Sequence, residues 1–263
     1  MSHYPRPIPM TTQLKALRGA TAITGVGLFG NGETPGYTEV ELLAEAAQRA
    51  VADAGLTMQD IDGLCTASVL STMWPMPVIE YLGINPRFID GTMLGGSSFI
   101  AHLMPAMLAL PAGPCDNVLV CYGSTQRSGT MNRAAVAAAR RQMDPQPYEM
   151  PYDPVFPVSA YAMATAAHMA KFGTTRRQLA QVAVPARAWA QKNPDAFERG
   201  PLTVDDVLKA RMVASPLTVR DCCLVTDGAG AFVLQRADAA KAGPQKPAYV
   251  LGTATACWNR QIS

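Results

Sequence analysis

Four small residues, Gly95-Gly96-Ser97-Ser98, stand directly ahead of an apolar run with helical spacing, FIAHLMPAMLAL. Where a chain turns from a strand into a helix, the first backbone N–H groups have no partner inside the helix. Glycines there keep side chains out of the way. Gly95, Gly96 and Ser97 are therefore candidates for a shallow pocket whose N–H groups hold a carbonyl or an oxyanion. The same residues also fit a plainer need, a tight turn with Ser97 capping the helix. From the residues alone the two readings stand level. A second candidate set is cationic: Arg127, Arg133, Arg140 and Arg141 fall within a stretch from 124 to 157 that closes in DPQPYEMPYDPVFP. Guanidinium groups suit phosphate oxygens, although arginines separated by alanines equally describe an exposed helical face.

Other reactive side chains point to less. The six cysteines (Cys65, Cys115, Cys121, Cys222, Cys223, Cys257) include no C-x-x-C pair, and only His3, His102 and His168 could join them, so no metal is expected. His102 and His168 read as core or helix contacts, Trp189 as core, Cys223 as a packed thiol, and Tyr148, Tyr152 and Tyr161 as packing under the irregular stretch. Asp227 and Gly228 read as turn formers. With 22 basic and 20 acidic residues the net charge is +2, which offers no field for nucleic acid. The opening MSHYPRPIP has no apolar core, and AHLMPAMLALPAG is too short and proline-broken for a bilayer. A cytoplasmic globular protein with reduced thiols is the expectation.

The elements that must position these residues follow an α/β rhythm. Ala20 to Gly27 reads as a buried strand. Thr38 caps a helix through Ala54 with Glu41 completing a capping box, and Gly55 stops it. Ile61 to Ala67 and Phe88 to Met93 read as strands. The helix after Gly96 runs toward Gly113 with a kink at Pro105, and Asn117 to Gly123 reads as a fully buried strand. Beyond the irregular stretch come helices over Ser159–Phe172, Arg176–Lys192 and Asp205–Arg211, with Thr174 or Thr175 capping the second of these. A glycine turn leads into a strand over Thr226–Arg236, and a further strand covers Ala248–Thr255.

These stretches, in this order, resemble the thiolase superfamily, in its sterol-carrier-protein-X or lipid-transfer-protein branch. The likeness rests on ITGVG with the helix AEAAQRAVADAGL, on DIDGL, and on GGSSFIAHLMPAMLAL leading into NVLVCYGS. It continues through KFGTTRRQLAQVAVPARAWAQKNPDAF and LTVDDVLKARMVASPLTVRDCCLVTDGAGAFVL, and so covers nearly the whole chain. The resemblance implies an αβα half of a five-layered αβαβα sandwich, a mixed sheet with helices on both faces. Residues 1–247 would form the N-terminal thiolase-like domain, with the insertion at about 124–157. Residues 248–263 would open the C-terminal domain, whose remainder is absent.

In such proteins a cysteine opens the helix, and its thiolate carries acyl groups. Counting back from Ala101 places Gly95 where that cysteine belongs, so a standard thiolase reaction is not expected. Cysteine-less members of this branch act as aldolases on β-hydroxyacyl-CoA of the steroid side-chain type, together with an OB-fold, zinc-ribbon partner. The resemblance thus implies coenzyme A as part of the substrate, its adenosine diphosphate near the arginine-bearing insertion, and Cys223 along the pantetheine tunnel. It also implies a homodimer. A non-catalytic acyl-CoA- or lipid-binding homologue, and an acyltransferase using another thiol, are the alternatives.

Overall fold

A computed structural model of the chain describes residues 15–68, 71, 73–129, 150–152, 154 and 157–257. The chain falls into two compact units, Met1–Ser128 with Asp227–Ala256, and Gly129–Thr226 with Cys257–Ser263.

The first unit is built on a six-stranded mixed sheet in the order β3-β2-β4-β7-β1-β8. Its strands are β1 (Thr21–Gly32), β2 (Gly63–Thr66), β3 (Phe88–Asp90), β4 (Asn117–Ser124), β7 (Asp227–Arg236) and β8 (Ala248–Tyr249). β2 runs parallel to β3 and β4, while β7 is antiparallel to both β4 and β1. Period-two alternation gives each face its own core. On β4, Leu119 and Cys121 join Leu42, Leu43, Ala46, Ala47, Ala50 and Val51 of α1 (Glu39–Asp53). Val118 and Val120 point the other way, to Ala106, Met107 and Leu110 of a helix on the opposite face.

The α1 helix begins with the expected capping box. Thr38 Oγ1 accepts from Glu41 N–H, and Glu41 accepts the Thr38 N–H at 2.7 Å. It lies directly on the sheet because the strand residues beneath it are glycines. A Cβ on Gly25 or Gly27 would stand 2.2 Å from the carbonyl oxygens of Ala50 and Ala46. The neighbouring residues of β1 project to the other face, where Val26 is 59% and Leu28 76% exposed.

Two departures from the sequence expectation concern helices. A helix absent from it, α2 (Pro75–Leu82), joins β2 to β3. Parallel neighbours need such a crossover. Pro75 and Pro77 sit in its first turn, where no N–H donor is required. The helix after the glycine run is divided into α3 (Ser98–Ala101) and α4 (Leu103–Ala112). Pro105 has no N–H to give the Ala101 carbonyl, so the expected kink becomes a break at His102. The last strand also stops early, at Tyr249.

The second unit holds α5 (Val158–Phe172), α6 (Arg176–Ala190), α7 (Val204–Lys209) and a small hairpin of β5 (Met212–Ala214) and β6 (Leu217–Thr218). Thr175, rather than Thr174, caps α6 in a box with Gln178, and Thr203 does the same for α7 with Asp206. Arg176 and Asp221 pair at 2.8 Å. Trp189 is not core: it is 71% exposed, with the Lys192 ammonium 4.8 Å from its ring centre. Among the described residues no helix is long and apolar enough to cross a membrane.

Candidate functional site

The parallel strands β2, β3 and β4 end at one edge of the sheet, and the glycine run follows β3 at that edge. Crevices beyond the carboxyl ends of parallel strands are where α/β folds place ligands. The connection is closed by side chains rather than by packing. Asp90 accepts from the N–H and the hydroxyl of Thr92 at 2.8 and 2.7 Å. Ser98 Oγ accepts the Leu94 N–H and donates to the Gly95 carbonyl, both at 2.7 Å. Gly95 holds φ +77°, the left-handed region open chiefly to glycine.

Ser97 therefore does not cap the helix with its side chain; the buried Ser98, one position on, ties the turn. The exchange has a simple cause. With Gly95 left-handed, the Ser98 side chain comes back over the turn, while Ser97 already has helical backbone angles. Gly95, Gly96 and Ser97 are exposed, and a Cβ on either glycine would meet nothing within 4 Å. There is room for a thiol at Gly95, and no thiol occupies it. The hydrogen bonds that close the turn run from Leu94 and from Ser98 onward, with a backbone bridge between Leu94 and Gly96. Amides at such a turn can support a negative oxygen.

Behind the turn lies His102, fully buried, with Nε2 3.0 Å from the Thr92 carbonyl. Burial holds its pKa below the ordinary histidine value, against the Thr92 bond and the Asp90 charge. The Phe99 ring lies between His102 and Tyr122 of β4, with centroids 5.8 and 4.6 Å away.

No cysteine of the sheet unit stands at the turn. Cys65, Cys115 and Cys121 are buried within the sheet unit. Burial raises all three thiols, Cys115 to about 11 and Cys121 to about 12, which keeps them un-ionised. Among the described residues no group of three His, Cys, Asp or Glu side chains is placed to hold a metal.

A second node forms at the same sheet edge around Asp227, the first residue of β7. Its buried carboxylate accepts the N–H groups of Thr34 (2.9 Å), Arg127 (2.7 Å) and Ser128 (3.0 Å). Burial opposes its charge, but the bonds from Ser128, Thr34 and Arg127 outweigh that and hold its pKa down to about 2. The turn-forming role expected of Asp227 is thus a joint between three segments. Arg127 gives its Nε–H to Glu33 at 2.6 Å, so that part of its guanidinium is already engaged. Arg133, Arg140, Arg141 and Tyr148 lie outside the described residues.

In the second unit a cavity of about 270 Å³ is lined by Ala183, Ala186, Phe197 and Leu224 and by Cys222, with Arg187 and Arg220 beside it. Cys223 does not line it and is exposed, contrary to the packed thiol expected. His168 is likewise exposed, bonded to Thr174 Oγ1 at 2.9 Å and stacked on Phe172, so it belongs to a helix end and not to a core. Tyr152 and Tyr161 are exposed rather than packed. Ser98 and His102 were the functional residues least visible in the sequence. The signal for both is their spacing, three and seven residues after Gly95, which puts them one and two helical turns on.

No family model matches the chain. It is 32% identical over 250 residues to the steroid side-chain-cleaving aldolase of Thermomonospora curvata, which spans 92% of this chain and 63% of that protein. It is also 32% identical over 248 residues to the 17-hydroxy-3-oxo-4-pregnene-20-carboxyl-CoA lyase of Mycobacterium tuberculosis, across 92% of this chain and 64% of that protein. The solved Ltp2-ChsH2(DUF35) aldolase superposes with a TM-score of 0.78 at 32% identity, covering 90% of this chain and 60% of that one. The chain belongs to the thiolase superfamily, in the branch of the sterol-carrier-protein thiolases and steroid side-chain aldolases. A human mitochondrial 3-ketoacyl-CoA thiolase, at 14% identity and a TM-score of 0.58, shares the fold with this thiolase-superfamily chain. The chain spans somewhat under two thirds of the length of the two lyases it matches.

Proposed function

We propose that this thiolase-superfamily chain forms the N-terminal half of a lyase that cleaves a carbon–carbon bond of a β-hydroxyacyl-CoA by a retro-aldol reaction. The observation that carries the reading is Gly95: the position of a thiolase nucleophile is empty, exposed and roomy, in a chain 32% identical to two carbon–carbon lyases. A thiolase step cannot start there without a thiolate. A retro-aldol step needs none. A base takes the β-hydroxyl proton, the Cα–Cβ bond breaks, and a carbonyl forms at Cβ. The electron pair passes to the thioester as an enolate, which is then protonated at Cα. The N–H groups around Gly95, Gly96 and Ser97 would hold the thioester oxygen as it gains charge. The base would come from the remainder of the protein, with a tyrosine as the favoured type. Coenzyme A enters as part of the substrate, with Arg127, Arg133, Arg140 and Arg141 toward its phosphates and Cys223 toward its pantetheine.

Residues 1–247 would then be the N-terminal domain and 248–263 the start of the second, in a cytoplasmic protein. The half-exposed Ile89 on edge strand β3 supports a homodimer formed through that sheet edge. The solved relative assembled as an Ltp2-ChsH2(DUF35) aldolase supports a partner protein, for which the family resemblance implies an OB-fold, zinc-ribbon type. A second reading, acyl transfer through a thiol supplied from elsewhere, is favoured by 29% identity over 89% of the chain to the acetyl-CoA acetyltransferase of Methanothermobacter thermautotrophicus. The test is incubation of the complete native protein and its partner with a β-hydroxyacyl-CoA. Release of a ketone or aldehyde with a shortened acyl-CoA is expected; thioester exchange without bond cleavage would favour the second reading.

A further inference from the structure

The connection from β3 to α3 is exposed from Gly91 to Ser97, and Gly95 and Gly96 have no side chains with which to pack. Its path is set by polar ties, and two of them meet on Thr92. Asp90 takes the Thr92 N–H and hydroxyl, and His102 reaches the Thr92 carbonyl from the other side at 3.0 Å. A carbonyl only accepts, so Nε2 of His102 carries the proton and Nδ1 is a bare acceptor. That Nδ1 is buried and has no partner among the described residues. An unsatisfied buried polar atom is costly, so an imidazole is a poor choice for filling this space. A leucine would fill it without an orphaned atom. What the histidine adds is the bond to Thr92.

We propose that His102 is a positioning residue, which through its Nε2–H bond to the Thr92 carbonyl fixes where the N–H groups of Gly95, Gly96 and Ser97 point. This rests on the reading of that turn as the support for the thioester oxygen. The arrangement suits the task. His102 stands at the break between α3 and α4, its own N–H bonded to the Ser98 carbonyl at 2.8 Å and its carbonyl accepting from Ala106 at 3.2 Å. The side chain therefore projects from a fixed point of the helix back to the far end of the loop. Ser98 holds the near end. Protonation would add an Nδ1–H with no acceptor in a buried site, so the imidazole keeps the one tautomer that serves this bond.

The test compares His102→Leu with His102→Gln in the complete protein with its partner, because a glutamine Nε2–H can replace the donor and a leucine cannot. Cleavage of a β-hydroxyacyl-CoA is measured as kcat and KM, alongside hydrogen exchange of the amides from Leu94 to Ser98 and thermal unfolding. The expected result for His102→Leu is a fall in kcat of about 100-fold with KM within a few-fold, the scale of an ångström-sized misplacement. Exchange in the turn should quicken, and His102→Gln should recover most of both. Unchanged exchange and unchanged kcat in His102→Leu would overturn the proposal. So would equal losses in both variants that track the unfolded fraction. An inactive wild type would sink the lyase reading alone, because exchange in the turn still reports on the tie. If His102→Leu fails to fold, Ser98→Ala and His102→Gln provide the same exchange comparison at the two ends of the loop.

Discussion

The two faces of the central sheet are built on opposite terms. Over β1, the α1 face is closed so tightly that glycines at 25 and 27 are the only residues that fit, with backbone against backbone. The other face of the same strand carries Val26 and Leu28 into the open, and Ile100 of α3 and Leu108 of α4 are also exposed. One face is a finished core. The other has apolar surface of the kind that marks an interaction site, and the glycine turn opens at the sheet edge beside it. Glycine serves both regions for opposite reasons: exclusion of a side chain under α1, and a left-handed backbone with empty space above it at Gly95.

That contrast sets the size of mutational effects, from largest to smallest. Gly27→Val should cost more than about 3 kcal/mol or prevent folding, because its Cβ would stand 2.2 Å from the Ala46 carbonyl oxygen. Urea unfolding or the soluble yield would show it, and a mild effect would break the picture of a closed face. Leu64→Ala, in the core beneath α1, should cost about 2–5 kcal/mol by the same unfolding measurement. Asp227→Asn should cost about 2 kcal/mol, because three N–H groups lose a charged acceptor.

The Asp227 carboxylate also predicts a pH dependence. Its pKa is depressed, so its contribution is full above the ordinary aspartate value near 4 and fades as the pH falls toward about 2. The mutant should lose that part of the acid sensitivity, which thermal unfolding between pH 5 and pH 2 would measure. Gly95→Ala should cost only about 1–2 kcal/mol, the price of a left-handed residue, since its methyl group meets nothing. An effect as large as that at Gly27 would show that the turn is not open. Leu28→Ala, on the uncovered face, should move stability by less than about 0.5 kcal/mol, and a larger loss would mean that this face is covered in solution.

The sequence carried much of the fold, because local rules decided it. The capping box of Thr38, the cap at Thr175 and the buried run of β4 arise from neighbours in the chain. Trp189 was misplaced for a matching reason. Residue type sets a preference for burial, but whether a helix face is covered depends on segments far away in sequence. Helix α2 went unassigned, although the first helical turn tolerates its prolines.

At the site, residue identity determined that position 95 is a glycine and carries no thiol, which can be read from one letter. Only the tertiary structure decided that Ser98 closes the turn, that His102 is buried behind it, and that Asp227 joins Thr34 to Arg127 and Ser128. Those bonds depend on side-chain direction. In the case of Asp227 they also link residues about 100 and 193 positions apart, a pairing that only the folded sheet brings together.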